Sequence, residues 1–534
     1  MKMDFDWSKI KVIDGEQFSS DNLDRAKYAT YLTSLIKEKG GTDKSNLSNY
    51  VLNLDAEWGA GKTYFLKRWS EDLKGNHPVV YIDAWAIDYL ESPLMTVLSE
   101  IIEQLKQLTN KIDPDETKRK LNEVVKAAAP RIGSALMKRY LGFDFNIFES
   151  TEEGEQQTSN DSKNVDFSKA GERVLEIFCK EVTDSKESVK TLKEAIQRWV
   201  EYVVNTPIEG METITNSFPA FIFIDELDRC KPTYAVEMLE AIKHVFDIPG
   251  LVFIVATNTS QLSHTIKAVY GADFNAEEYL SRFFDNKYIL RNKISPALLH
   301  NHCNSSAFSQ EFLVGRQVII FPFIYFSVDN FFDLCCDVFC ALKLSPRQSI
   351  KILNRLELIV SNINSKATID GPFLVILLAL MEKNIKLYEE FLDYFILNKK
   401  IDNGTCPEFS LYSKLLNIQI PVSIRYDRDR LLYESVDDSS LPYETSDSPN
   451  ESKSYEHKSS LCNYLNSFGD YYRQTSDTDV LGKKYRLLCD TISGNSRVGL
   501  NTTYLRFTLS FLIFNNTLNL DSYRELAEIS ASLD

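Results

Sequence analysis

Short, unbroken apolar runs alternate with amphipathic stretches through the first 290 residues of the chain. Residues 51–54 (VLNL), 78–82 (PVVYI), 219–225 (PAFIFID) and 251–256 (LVFIVA) are too short for helices and apolar at nearly every position, the signature of strands buried on both faces. Helical spacing fills the intervals. In 20–38, Tyr28, Leu32, Leu35 and Ile36 share a face, and helical patterns recur at 63–74, 90–108, 113–143, 172–205 and 232–246. Strands alternating with helices predict an α/β fold with a parallel sheet covered on both sides. From about residue 297 the pattern turns helical, most clearly at 345–362 and 371–397, and no internal repeat is present.

Charge sharpens the domain boundaries. The net charge of the 534-residue chain is −16. Residues 144–172 hold eight acids against two bases, and residues 434–456 seven against one, so these segments carry −12 of it. The first reads as a mobile or surface insertion and the second as a linker. The expected organisation is an α/β domain over 1–290 with an insertion at about 113–215, a helical domain over 291–433, an acidic linker over 434–460 and a C-terminal helical region over 461–534.

Composition narrows the function classes. Hydrophobic (44%) and charged (25%) fractions are those of a folded globular chain, and 20 glycines with 16 prolines exclude collagen-like or proline-rich architectures. The strongest apolar runs (318–328, 372–381 and 507–514) fall short of the ~18 residues that span a bilayer, so no membrane partner is expected. The N-terminus lacks the apolar stretch of a secretory signal, and nine scattered cysteines suit reduced thiols, which points to the cytoplasm. The negative charge argues against nonspecific nucleic-acid binding as a default, although a local basic patch remains compatible with it.

Two motifs carry the chemistry. AEWGAGKT (Ala56 to Thr63) follows a strand and precedes a helix, as a phosphate-binding loop does. Gly59 and Gly61 let successive N–H groups face phosphate oxygens, and the helix N-terminus adds its positive end. Residues Trp58, Gly59, Ala60, Gly61, Lys62, Thr63 and Tyr64 are therefore expected to line a nucleotide. Lys62 would reach the β- and γ-phosphates, and the Thr63 hydroxyl would ligate Mg²⁺. Ala56 stands where such loops usually begin with glycine, a position that often needs positive φ, so about 1 kcal/mol of strain is expected there if that geometry is kept.

The second motif is FIFIDELD (221–228), an apolar strand ending in Asp225 and Glu226. The Asp suits Mg²⁺ and the Glu suits the activation of water. A third strand, LVFIVATN, ends in Thr257 and Asn258, and Asn258 is expected to sense the γ-phosphate or the attacking water. Arg282, Arg291 and Arg347 could supply positive charge to the transferring phosphate, in cis or in trans, with Arg282 and Arg347 preferred. ATP is preferred to GTP because no N/T-K-x-D motif stands where guanine readers carry it. His300-x-His302-Cys303 lacks a companion ligand pair for a metal, and Cys335, Cys336 and Cys340 lie in an apolar helical stretch, which suits buried thiols. The basic run Lys118-Arg119-Lys120, with Lys126, Arg131, Lys138 and Arg139, suits a solvated helix face first, and nucleic acid or an acidic partner as the alternatives.

Taken together these residues resemble the KAP family of P-loop NTPases. The resemblance rests on DNLDRAKYATYL (21–32), Trp58 before Gly-x-Gly-Lys-Thr, Asp83-Ala84-Trp85, IFIDELDRCKP (222–232) and YLSRFFD (279–285), where the family more often has Lys in place of Arg282. It implies an ASCE-type ATPase using ATP and Mg²⁺, with an insertion between Lys62 and Asp225 that in many members carries membrane helices; here it holds none, as in a soluble member. Bacterial members are frequent in anti-phage systems. The resemblance therefore implies a motor or switch subunit of a cytosolic defence complex, with self-association or protein partners. A nucleotide-gated assembly module with slow turnover and a nucleic-acid-stimulated ATPase are the alternatives. It leaves the roles of Asp228 and Arg229 open.

Overall fold

The computed structural model describes residues 5–90, 92–109, 114–132, 185–208, 211–291, 294–303, 306–321, 328–363, 366–396, 415, 417–426, 453–461, 464–465, 518 and 520–532. It divides into two compact units, Met1–Arg291 and Asn292–Asp534.

Unit 1 begins with a small antiparallel hairpin, β1 (Lys11–Ile13) and β2 (Glu16–Phe18), followed by α1 (Ala26–Gly40), β3 (Tyr50–Asp55), α2 (Lys62–Leu73) and β4 (Val79–Asp83). Next come α3 (Pro93–Thr109), α4 (Pro114–Ile132), α5 (Ser185–Asn205) and the short hairpin β5 (Pro207–Ile208) and β6 (Met211–Thr215). The unit closes with β7 (Ala220–Asp225), α6 (Pro232–His244), β8 (Leu251–Thr257), α7 (Thr259–Tyr270), α8 (Ala276–Ser281) and β9 (Asn286–Ile289).

Five of the strands form one parallel sheet in the order β4-β7-β8-β3-β9. Side chains alternate across it, and each face has its own core. Phe221, Phe223, Val252, Ile254, Leu52 and Leu54 face α1 and α2 together with Trp7, Phe65 and Trp69. Ile222, Ile224, Phe253, Val255, Val51 and Val80 face α3, α5 and α6, including Ile101, Trp199 and Leu239. Burial on both sides explains why β7 and β8 are apolar at every position before their last residues, Asp225 and Thr257. In α1, Leu32 and Ile36 are fully buried with Tyr28 and Leu35 partly so, but the helix starts at Ala26, later than the spacing suggested.

Register aligns the carboxyl ends of the strands. Asp83 pairs with Asp225, and Asp55 with Thr257. The phosphate-loop sequence, the Asp225–Glu226 pair and Asn258 therefore leave the sheet along one edge, where open α/β sheets bind ligands.

Unit 2 contains α9 (Pro296–His302), α10 (Gln310–Arg316), β10 (Ile319–Phe321), α11 (Val328–Ala341), α12 (Pro346–Asn362), β11 (Thr368–Asp370), α13 (Gly371–Lys383) and α14 (Ile385–Ile396). It continues with β12 (Gln419–Tyr426), β13 (Lys453–Ser460) and α15 (Leu520–Ser532). The apolar run at 372–381 lies in α13, whose residues Phe373–Leu380 are buried all round by α11, α12, α14 and α15. Asn384 separates α13 from α14 within the helical stretch at 371–397. A correction concerns the acidic linker over 434–460. Lys453–Ser460 is a strand paired antiparallel with Gln419–Tyr426, so backbone pairing overrides a polar composition there and adds β-structure to the expected helical domain. Residues 133–184, 427–452 and 466–517, which hold most of the insertion, the remaining linker and the C-terminal helical region, lie outside the described residues.

Candidate functional site

The loop after β3 is shaped by two glycines. Gly59 and Gly61 have φ of 77° and 83°, a region that strains any residue with a Cβ. Ala56 does not share it, so the strain expected at that position does not arise. Ala56 instead continues the sheet, donating its N–H to the Thr257 carbonyl at 3.0 Å. Gly61 caps α2, whose first N–H groups face outward as an anion cradle.

Lys62 is 9% exposed, and its ammonium donates to the Ala56 carbonyl at 2.8 Å. Burial lowers its pKa, opposed by the negative charges of Asp228, Asp225 and Asp55. Asp225 is 1% exposed, and burial raises its pKa against hydrogen bonds from the Thr63 hydroxyl, the Tyr81 hydroxyl and the Glu226 amide. The last two measure 2.8 Å each. The structure thus places the Thr63 hydroxyl close enough to lower the Asp225 pKa, across 162 residues of sequence (225 − 63). A dry ammonium beside a dry carboxylate, each driven toward its neutral form, is a pocket suited to a phosphate on one side and a cation on the other. The hydroxyl and carboxylate oxygens are hard donors of the kind Mg²⁺ takes when substrate phosphates complete its shell, so these residues fit that ion.

Glu226 adopts the left-handed conformation (φ 57°), which costs about 1 kcal/mol for a residue with a side chain. Its carboxylate pairs with Arg229 at 3.0 Å, and the Arg229 guanidinium sits 5.4 Å from the centre of the exposed Trp85 ring. Burial raises the Glu226 pKa, with Arg229 pulling it back. Trp58, half exposed, donates its indole N–H to Asp228 Oδ2 at 2.7 Å. Asn258 lies where the spacing suggested, at the end of β8, and its side-chain oxygen caps α7 through the Gln261 amide at 3.3 Å. Such a cap stabilises a helix by about 1 kcal/mol.

The arginines fare differently. Arg282 is exposed at the end of α8, paired with Glu278 at 3.5 Å, and touches none of the residues above. Arg291 is exposed beyond β9, and Arg347 is exposed in the first turn of α12 in unit 2. Side chains not anticipated from spacing do reach the loop. Tyr81 on β4 touches Asp225, and its position as the only hydroxyl-bearing residue of its strand is the sole signal the sequence held. Arg25, 6% exposed, is held by Asp21 at 2.8 Å, stacks over Tyr64 at 4.4 Å and approaches Gly61 so closely that a Cβ there would lie 2.7 Å from its guanidinium. Tyr64 in turn donates to the Ser19 carbonyl at 2.8 Å.

Other singled-out groups have local partners. His300 pairs with Asp329 at 2.8 Å; Cys335 and Cys336 are buried thiols, whereas Cys340, expected to be buried with them, is exposed near the end of α11. Within the basic run, Arg119 pairs with Glu116 at 2.6 Å and Lys120 with Glu123 at 3.8 Å.

A five-stranded parallel sheet with one strand between the phosphate-loop strand and the acidic strand defines the ASCE class of P-loop NTPases. The chain matches the KAP family P-loop domain over residues 25–301, a little more than half its length, and belongs to that family. Domains of this class bind nucleoside triphosphate with Mg²⁺ and support its hydrolysis. No curated protein matches the chain closely enough to serve as a relative. Among the described residues, no helix is long and apolar enough to cross a membrane.

Proposed function

We propose that the chain hydrolyses ATP at this pocket. The observation that carries the reading is the meeting of Lys62, Thr63, Asp225 and Glu226 at one sheet edge. The loop amides and Lys62 hold the phosphates, and Thr63 and Asp225 hold Mg²⁺. Bound there, Mg²⁺ supplies charge neutralisation for the β- and γ-phosphates. Glu226 orients and deprotonates the attacking water. Asn258, with its oxygen committed to the Gln261 amide, addresses the γ-phosphate through its amide nitrogen. Family association supports the wider reading, a motor or switch subunit of a cytosolic bacterial anti-phage complex with self-association or protein partners.

One observation favours a second reading, a nucleotide-gated assembly module with slow turnover. The Glu226 carboxylate already pairs with Arg229, and a base so engaged is slow to take a proton. Comparing Lys62→Ala with Glu226→Gln, with ATP and GTP as substrates and phage protection as the cellular readout, separates the two. A switch driven by turnover loses protection in both variants; a gated assembly loses it in Lys62→Ala alone. Equal use of GTP would contradict the assignment of ATP.

A further inference from the structure

The turn after the acidic strand is tied to the phosphate loop by a contact that the proposed chemistry does not use. Leu227–Arg229 forms a single 3-10 turn, and Asp228 within it is 7% exposed. Asp228 Oδ2 accepts the Trp58 indole N–H at 2.7 Å, a bond between residues 170 positions apart. Its other oxygen, Oδ1, is buried without a hydrogen-bond partner, and the negative charge of Asp228 acts on the buried Lys62 more strongly than that of Asp225 or Asp55. A carboxylate this buried is costly to keep, and burial with one orphaned oxygen is not the arrangement a purely structural turn would favour. Trp58 itself is half exposed, so burial of its ring does not explain its place in the loop; the directed N–H does. The turn that Asp228 anchors also carries Glu226 at its N-terminal side and Arg229 at its end, and Arg229 holds the Glu226 carboxylate at 3.0 Å.

We propose that Asp228 is a positioning residue, and that its bond to Trp58 fixes the distance between the loop that holds the phosphates and the turn that presents Glu226. This rests on the ATPase reading above and adds to it a mechanical link between the two motifs. Phosphate binding draws mainly on Lys62, Thr63 and the amides at the start of α2, all beyond Gly59, so the bond acts on the approach of Glu226 more than on nucleotide affinity. Breaking it lowers kcat by a larger factor than it weakens Mg-ATP binding.

The test uses the full chain and three variants, Trp58→Phe, Asp228→Ala and the double variant. The chain has five tryptophans, so the indole region of a ¹H–¹⁵N spectrum holds five resonances. The resonance missing in Trp58→Phe is expected to be the one that moves in Asp228→Ala without nucleotide, which reads the bond independently of catalysis. Each single variant is expected to lose about tenfold in kcat, the effect of one hydrogen bond to a charged acceptor. The double variant should lose no more than the worse single one, because both remove the same bond. Losses that multiply, a fall in Mg-ATP affinity with kcat unchanged, or an unmoved resonance would each overturn the proposal. A wild-type chain that shows the coupled resonance but binds no nucleotide would overturn the ATPase reading instead, and would reduce the bond to a brace, which also ends the positioning role.

Discussion

Asp225 in unit 1 and Asp370 in unit 2 are near twins in their surroundings. Both end a strand, both are at most 2% exposed, and burial raises the pKa of both. Their partners differ. Asp370 accepts the Phe373 amide at 2.8 Å, capping α13, and the Tyr464 hydroxyl at 2.5 Å, while its own N–H donates to the Tyr523 hydroxyl oxygen at 2.5 Å. Every one of these contacts joins two parts of unit 2, and among the described residues no cation stands opposite. Asp225 meets a Thr from the phosphate loop, a Tyr from the neighbouring strand and the field of a buried Lys. Burial alone therefore marks neither residue as functional; what sets Asp225 apart is that a loop hydroxyl and the charged Lys62 surround it, the surroundings on which the proposed site rests.

The sharpest way to break the comparison is to swap readouts. Lys62→Ala should weaken Mg-ATP binding by about a hundredfold while leaving the unfolding midpoint of unit 2 in place. Asp370→Ala should do the reverse. It removes a helix cap and strands the Tyr464 hydroxyl and Phe373 amide, a loss of about 3 kcal/mol in chemical denaturation with nucleotide affinity in unit 1 retained.

The pH dependence sharpens it further. Burial pushes the Asp370 carboxyl up to about 7. The folded chain thus keeps a proton that the unfolded chain releases near the ordinary carboxylate range. The contribution of this group to stability is complete at pH below about 4, declines by up to about 1.4 kcal/mol per pH unit as pH rises, and is gone above about pH 7. Asp370→Asn keeps an acceptor for the Phe373 amide and cannot ionise, so it should flatten that slope. Denaturation midpoints of the two proteins between pH 4.5 and 8 measure the difference, and parallel slopes would count against it.

The smallest effect concerns Tyr81. Tyr81→Phe removes one hydrogen bond from Asp225, and a shift of about fivefold in the Mg²⁺ concentration needed for half-maximal turnover is expected, with the unfolding midpoint moving little. A midpoint that falls while the Mg²⁺ requirement stays fixed would make Tyr81 a counterpart of Tyr464 instead.

The parts of this fold that could be read in advance are those where burial is two-sided and local. Strands 219–225 and 251–256 announce themselves because both faces are dry, and the loop with Gly59 and Gly61 because only glycine suits its backbone. Contacts set by register stayed hidden. Tyr81 reaches Asp225 because β4 and β7 are neighbours, and Trp58 finds Asp228 because two loops leave one edge together, neither of which spacing encodes. Arg25 belongs to the motif at 21–32, yet its place against Gly61 depends on the way the segment before α1 crosses the loop. Arg282 is legible as a motif residue, but spacing does not report that its side chain lies exposed beside Glu278. The strand at Lys453–Ser460 escaped because its polar residues hide a backbone pairing that composition does not report.

The central claim is that the phosphate loop and the acidic strand end form one nucleotide pocket. Calorimetric titration of the Glu226→Gln protein with ATP, in the presence and absence of Mg²⁺, tests it most directly. The account predicts one ATP bound per chain, held more tightly with Mg²⁺ and retained without hydrolysis. Absence of binding, or an affinity indifferent to Mg²⁺, would contradict it.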